Sequence, residues 1–299
     1  LLYNMKHPYT RALFNASTHR VVMPDVITSG TLLSVDSVVR TYSLPRNGVL
    51  GSRPNFNALD NVSFNISHGE RVGLVGESGC GKSTLTRAIL GVEDVQSGWI
   101  KLDGEPVFSE KRPNIDVRRK MQVVFQDPYS SFNPRHRVDR LIAEPLHVLE
   151  NPPVGKLRDL AILKALEDVG LMASDAKKFI HEFSGGQRQR IAIARALIIE
   201  PELIIFDEAV SALDVSVRAQ VLDLIAELCH KRPLAYLFIS HDLSVVRTVT
   251  DRVMIMRAGK IVEHGETEKV FTNPQSAYTK TLIAAAPRLP EITYAIEPI

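Results

Sequence analysis

Eight consecutive residues, Gly76-Glu77-Ser78-Gly79-Cys80-Gly81-Lys82-Ser83, fit the pattern Gly-x-x-x-x-Gly-Lys-Ser/Thr. Glycines at these spacings let a backbone turn tightly and aim several N–H groups inward at phosphate oxygens. An apolar run, Arg71–Val75, leads into the loop, and a helix predicted over about Ser83–Leu90 leaves it, with Thr84 in its first turn. The amino terminus of that helix brings about half a positive charge to the same place. Lys82 is then placed to reach the β- and γ-phosphates of a nucleotide, and Ser83 to ligate Mg²⁺. The flanking strand and helix separate this reading from a glycine-rich turn with a lysine beside it.

Two more motifs and three single residues could carry chemistry. Leu203-Ile204-Ile205-Phe206 reads as a buried strand ending in Asp207-Glu208, at the carboxyl end where open α/β sheets bind ligands. Asp207 suits Mg²⁺, and Glu208, pointing the other way, can polarise a water for attack on the γ-phosphate. Two acids after a strand are also a common solvated strand end. Phe183-Ser184-Gly185-Gly186-Gln187 opens a helix and makes a second anion-binding amino terminus, which one nucleotide does not need; the economical reading gives it to the nucleotide of a partner module. Its plainer reading is a capped helix after a turn. Gln126 and His241 each follow an apolar strand, and Tyr42 has a ring able to stack on a base. Taken singly, these three are more often structural.

The elements that must hold these residues follow from periodicity. Leu32–Arg40 alternates like a half-buried strand, residues 43–57 read as a loop, and Val62–Ile66 and Arg71–Val75 as further strands. After a helical stretch over 130–183, notably Leu157–Val169, helix Gln187–Ile199 precedes strand Leu203–Phe206. Helix Val215–Cys229, strand Ala235–Ile239, helix Leu243–Thr250 and strand Val253–Arg257 then follow in turn. Such alternation predicts a parallel sheet covered on both faces, with the 130–183 helices as an inserted subdomain.

Composition bounds the function. Of 299 residues, 44% are hydrophobic and 23% charged, as in an ordinary folded chain, and a net charge of +2 gives no electrostatic case for a nucleic-acid partner. No apolar run approaches the ~20 residues of a membrane helix. Two cysteines, Cys80 and Cys229, support neither a disulfide framework nor a four-thiolate metal site, which predicts a reducing compartment. Tyr9-Thr10-Arg11-Ala12-Leu13 near the start echoes Tyr278-Thr279-Lys280-Thr281-Leu282 near the end, each after a proline-containing stretch. One reading makes residues 1–28 the tail of a preceding copy of the same module; the other is chance likeness between two amphipathic helices.

The order of these features resembles the ATP-binding subunits of ABC transporters along nearly the whole chain. In the family's terms Gly76–Ser83 is the Walker A loop, Gln126 the Q-loop, Phe183–Gln187 the signature motif with Phe for the usual Leu, and Leu203–Glu208 Walker B. Ser211–Asp214 is the D-loop and His241 the switch histidine. Lys82 to Gln126 is 44 residues, Gln126 to Ser184 is 58 and Glu208 to His241 is 33, all family-like spacings that chance does not supply together. Gln126-Asp127-Pro128-Tyr129-Ser130-Ser131-Phe132-Asn133-Pro134-Arg135 and the Tyr278-Thr279-Lys280 tail are similar to the oligopeptide, dipeptide and nickel importers. Some of these, of the Yej type, fuse two ATPase modules in one polypeptide, which makes the duplication the expected reading.

The resemblance implies a P-loop α/β core with a parallel sheet, a small antiparallel β subdomain and a helical insert at about 128–190, within a domain spanning 29–270 and followed by a tail, 271–299. It implies ATP at Tyr42, Gly76–Thr84 and Lys82, and Mg²⁺ at Ser83, Gln126 and Asp207. Glu208, His241 and Gln126 become the catalytic residues, with Ser184, Gly185, Gly186, Gln187 and Asp214 serving a second module. Partners follow in kind: that module, two membrane-spanning permeases and a periplasmic or lipid-anchored solute-binding protein, with the chain on the cytoplasmic face of a bacterial inner membrane. Ala209-Val210 departs from the usual Pro-Thr, and no cysteine follows Cys229, so no iron–sulfur cluster is expected. A repair or translation ATPase would need a long coiled-coil insertion or basic arms. A GTPase would need Asn-Lys-x-Asp, and a nucleotide-binding scaffold has no use for Glu208 and His241 together.

Overall fold

Apolar five-residue runs without alternation are what a strand buried on both faces looks like. In the computed structural model, which describes residues 7–17, 19, 21–25, 28–43, 54–109, 112–127 and 130–286, they become the middle of one sheet. Helix α1 (Pro8–Ser17) is followed by strands β1 (Ser29–Ser43), β2 (Asn55–His68) and β3 (Arg71–Val75), helix α2 (Lys82–Ile89) and β4 (Ser97–Leu102). Short strands β5 (Glu105–Pro106), β6 (Phe108–Ser109) and β7 (Arg112–Pro113) and helix α3 (Ile115–Arg119) lead to β8 (Met121–Phe125). Helices α4 (Val138–Ala143), α5 (Lys156–Asp168) and α6 (Gly185–Leu197) then intervene before β9 (Leu203–Asp207). The remainder is α7 (Val215–Lys231), β10 (Ala235–Ile239), α8 (Leu243–Val249), β11 (Arg252–Arg257), β12 (Lys260–Glu266), α9 (Thr267–Thr272) and α10 (Ala277–Ala285).

The main sheet has the order β12-β11-β3-β10-β9-β8. Its pairs from β11 to β8 are parallel, and β12 runs antiparallel along one edge. Successive side chains point to opposite faces. Ile204, Phe206, Tyr236 and Phe238 therefore join the core beneath α6, α7 and α8, while Leu203, Ile205, Leu237 and Ile239 join the core shared with α2 and the second sheet. That second sheet, β2-β1-β4-β5, is antiparallel. The expected parallel sheet covered on both faces, the antiparallel β part and the helices between β8 and β9 are all present.

Two expectations change. The loop assigned to 43–57 is narrower, because Asn55, Phe56 and Asn57 pair with Ser43, Tyr42 and Thr41 and extend the β1–β2 ladder. Cross-strand bonds, including Thr41 to Asn57 at 2.9 Å, override the poor strand propensity of asparagine; residues 44–53 lie outside the described ones. Strand β12 was not anticipated, since it is an edge strand of charged and half-buried residues with no apolar run.

Arg71 joins three parts of the chain at the start of β3. It is 4% exposed, and its guanidinium donates to both carboxylate oxygens of Asp251, at 2.7 and 2.6 Å, and to the Pro24 carbonyl at 2.8 Å. Removing one partner of such a pair leaves a buried charge without compensation. Asp251→Ala is therefore expected to cost about 3 kcal/mol or more, read as a lowered urea midpoint. Arg71→Met, which removes the charge itself, is expected to cost less.

Candidate active site

Register places the chemistry. Phe125 lies opposite Asp207, Asp207 opposite Ile239, and Ile239 opposite Leu74, so four parallel strands end level. The chain leaves those ends as Gln126 after β8, Glu208 after β9, Ser240-His241 after β10 and Gly76 after β3. Residues from four distant parts of the sequence are thereby set along one edge, as the ligand-binding edge of a parallel sheet requires.

The glycine loop is packed from beneath. A Cβ on Gly76 would stand 2.2 Å from the Met256 carbonyl oxygen, and one on Gly81, whose φ is +116°, would stand 2.2 Å from that of Ala58. Both glycines are needed for the close approach of the loop to β11 and β2. Cys80 is buried under the loop, its N–H donating to Glu77 O at 3.3 Å and its carbonyl accepting from Gly259 N–H at 2.8 Å. Cys80 serves there as a small residue that fits beneath the loop. Glu77, Ser78, Gly79 and Ser83 are exposed, and Thr84 is buried in the first turn of α2. The Lys82 ammonium, 6% exposed, donates to Gly76 O at 2.7 Å and Glu77 O at 2.9 Å.

The two acids after β9 diverge. Burial first, then the neighbouring Glu208 charge, pushes the Asp207 carboxyl up, while Lys82 and Arg87 pull it down, which places Asp207 in the field of the loop lysine. Glu208 sits at φ +51°, uncommon for a residue with a side chain, held there by its N–H donating to Ile239 O at 2.9 Å. Ser211 closes the turn, with its N–H and hydroxyl both donating to Glu208 O. The Glu208 carboxylate meets His241, Oε2 to Nδ1 at 3.2 Å. The next residue, Asp242, caps α8 and pairs with Arg218 of α7 at 2.7 Å, which anchors the chain just past His241. Arg218 had no motif to mark it.

Other expected residues stand as follows. Gln126 is exposed at the end of β8. Tyr42 is tethered: its hydroxyl donates to Glu93 at 2.7 Å, and the Arg40 guanidinium lies 5.0 Å from its ring centre. Burial works to raise the Glu93 carboxyl, but bonds from Tyr42 and Arg40 outweigh it and hold the group low. Asp214 caps α7, accepting from Val217 N–H at 3.0 Å, and this bond, then that from the Ser216 hydroxyl, holds its carboxyl low. Ser184 and Gln187 form a capping box at the start of α6, and none of their hydrogen bonds reaches the glycine loop. Gly186 packs on α7, where a Cβ would lie 2.3 Å from Val217 Cγ1.

The oxygen donors fit Mg²⁺. An exposed hydroxyl at Ser83 and a carboxylate at Asp207 are hard ligands, and Mg²⁺ is typically held by one or two carboxylates together with phosphates and waters. Among the described residues no group of three or more His, Cys, Asp or Glu side chains gathers to form a dedicated cage.

Comparison with known proteins agrees with this geometry. Residues 59–211 match the ABC transporter family, and residues 262–298 match the family described as "Oligopeptide/dipeptide transporter, C-terminal region". The chain is 45% identical over 252 residues to the dipeptide transport ATP-binding protein DppF of Haemophilus influenzae, covering 84% of this chain and 77% of that one. It is 44% identical over 280 residues to the uncharacterized ABC transporter ATP-binding protein YejF of Escherichia coli, covering 93% of this chain and 53% of that one. A dimeric ATP-binding cassette in a post-hydrolysis state, bound to ADP and Pi, aligns with a TM-score of 0.67 at 26% identity, over 79% of this chain and 99% of its own.

Replacing Lys82 by Ala removes the ammonium that the loop folds around. Affinity for a fluorescent ATP analogue is expected to fall by a factor on the order of 10 or more, as for a charge-assisted phosphate contact. Unchanged affinity would place the phosphates elsewhere.

Proposed function

This chain belongs to the ATP-binding subunits of ABC transporters, in the oligopeptide and dipeptide group, and we propose from that premise how its residues divide the work of binding and hydrolysing ATP to drive import of peptides or a related small solute. The observation that carries the reading is the level ending of four strands, which gathers the glycine loop, Asp207, Glu208 and His241 on one edge.

Lys82 exchanges the Gly76 and Glu77 carbonyls for the β- and γ-phosphates, and the N–H groups of the loop through Thr84 cradle the remaining oxygens. Tyr42 lies against the base. Ser83, Asp207 and Gln126 hold Mg²⁺, which neutralises phosphate charge when bound. Glu208 accepts the proton of the attacking water, and His241, already within reach of its carboxylate, orients it and contacts the γ-phosphate.

The Ser184–Gln187 helix start, exposed at Ser184, Gly185 and Gln187, faces the nucleotide of a second module, and Asp214 lies at the crossing between the two. ATP closes the pair because the closed state binds ATP better than ADP. The chain spans about half of YejF, which leaves room in that relative for a second module. In the reading proposed here a module is fused upstream, residues 1–28 are its tail, 29–270 are the ATPase domain and 271–299 the peptide-importer tail. As an ATP-binding subunit the chain works with membrane-spanning permeases; among its own described residues no helix is long and apolar enough to cross a membrane. A solute-binding protein on the far side, and residence on the cytoplasmic face of the inner membrane, complete the assembly.

Ser184→Arg tests the two-module arrangement. It is expected to leave this chain's own ATP affinity unchanged while removing the increase in turnover on pairing with a second module. A Ser184→Arg chain that loses its own ATP binding contradicts the arrangement.

A further inference from the structure

The glycine loop has a contact that none of the motif residues supplies. The backbone N–H of Glu77, the first residue past Gly76, donates to the hydroxyl of Tyr278 at 3.3 Å, across 201 residues of sequence. Tyr278 belongs to α10, in the carboxyl-terminal region. It is only 8% exposed, and the guanidinium of Arg257 lies 4.7 Å from its ring centre. The segment before α10 is anchored independently: Gln275 N–H and Ser276 N–H donate to the two Glu263 carboxylate oxygens of β12, at 2.7 and 3.0 Å. Leu282 and Ile283 pack α10 on the core beneath α6–α8. The phenol is thus held by its ring, by its helix and by the turn before it. Its hydroxyl is a fixed point for the loop.

The Glu77 backbone is held on both sides of its Cα. Its N–H rests on Tyr278, and its carbonyl accepts from Lys82 and from Cys80 N–H. Under the proposed function Lys82 leaves that carbonyl for the phosphates. The Tyr278 bond is then the restraint that keeps the entry of the loop in its phosphate-ready shape, with less conformational freedom to lose on binding. We propose that Tyr278 is a positioning residue for nucleotide binding, through which the carboxyl-terminal region of this chain sets the affinity of the glycine loop for ATP. This rests on the ATP-binding reading above and adds to it a residue that none of the nucleotide-binding motifs contains.

Tyr278→Phe keeps the ring on Arg257 and removes only the hydroxyl. In the full chain it is expected to raise KM for ATP about fivefold, the order of one neutral hydrogen bond, with kcat within twofold of wild type and thermal midpoint unchanged. Exchange of the Glu77 amide, followed by hydrogen–deuterium exchange of the loop, is expected to accelerate by a similar factor. Tyr278→Ala, which also removes the ring, should raise KM further. Unchanged KM and unchanged amide exchange in Tyr278→Phe overturn the proposal while leaving ATP hydrolysis standing. A fall in kcat and thermal midpoint together, with KM steady, also overturns it, because the tyrosine would then only support the fold. A wild-type chain that binds no ATP overturns both readings.

Discussion

Everything at the nucleotide edge depends on the register of four parallel strands. The backbone bonds that set Phe125, Asp207, Ile239 and Leu74 side by side also decide that the next residues of each strand meet. A slip of one residue in β9 would exchange Asp207 and Glu208 between the field of Lys82 and the reach of His241, and would turn Phe206 from one core to the other. Such a slip is resisted on both faces at once. Phe206, Tyr236 and Phe238 fill one core, with ring centres 5.5 to 6.4 Å apart, while Ile205, Leu237 and Ile239 fill the other.

The loops at that edge are then shaped by what lies behind them. Met256 and Ala58 carbonyls leave room at Gly76 and Gly81 for hydrogen and nothing larger, so the glycine loop is moulded by β11 and β2 as well as by its own sequence. On the other side, Arg195 of α6 ties the helix that starts at Ser184 to the segment after Gln126. Its guanidinium donates to Ser131 O at 2.9 Å and lies 4.6 Å from the Phe132 ring centre. Burial lowers the pKa of this arginine, and the nearby Glu144 charge opposes the effect. Gly186 brings the same helix onto Val217 of α7, which Asp214 caps. The signature helix, the D-loop helix and the Gln126 segment are therefore one packed unit.

Local chemistry was legible in the amino-acid sequence wherever it was carried by neighbours along the chain. The glycine loop announces itself in eight residues, and β3, β9 and β10 show as apolar runs because both their faces are buried. What was not legible depends on partners far away in the chain. Tyr278 was visible as half of a Tyr-Thr-basic repeat and as part of the tail shared with the peptide importers, with no local sign that its hydroxyl meets Glu77. Arg218 reads as an ordinary surface residue of α7 until β10 and α8 bring Asp242 to it. The extra length of β1 and β2 came from cross-strand pairing that asparagine-rich Asn55–Asn57 does not advertise. Glu208 could be chosen as the base from its place after a strand, but its positive φ and its approach to His241 come from the bond to Ile239 O on the next strand.

The proposed division of labour gives water activation to the carboxylate at the turn after β9, beside His241. Steady-state ATP hydrolysis and ATP binding by Glu208→Gln probe that assignment, since the change removes the base and no phosphate contact. ATP affinity close to wild type is expected, with turnover lower by a factor on the order of 10² or more. Hydrolysis near the wild-type rate would place the base elsewhere.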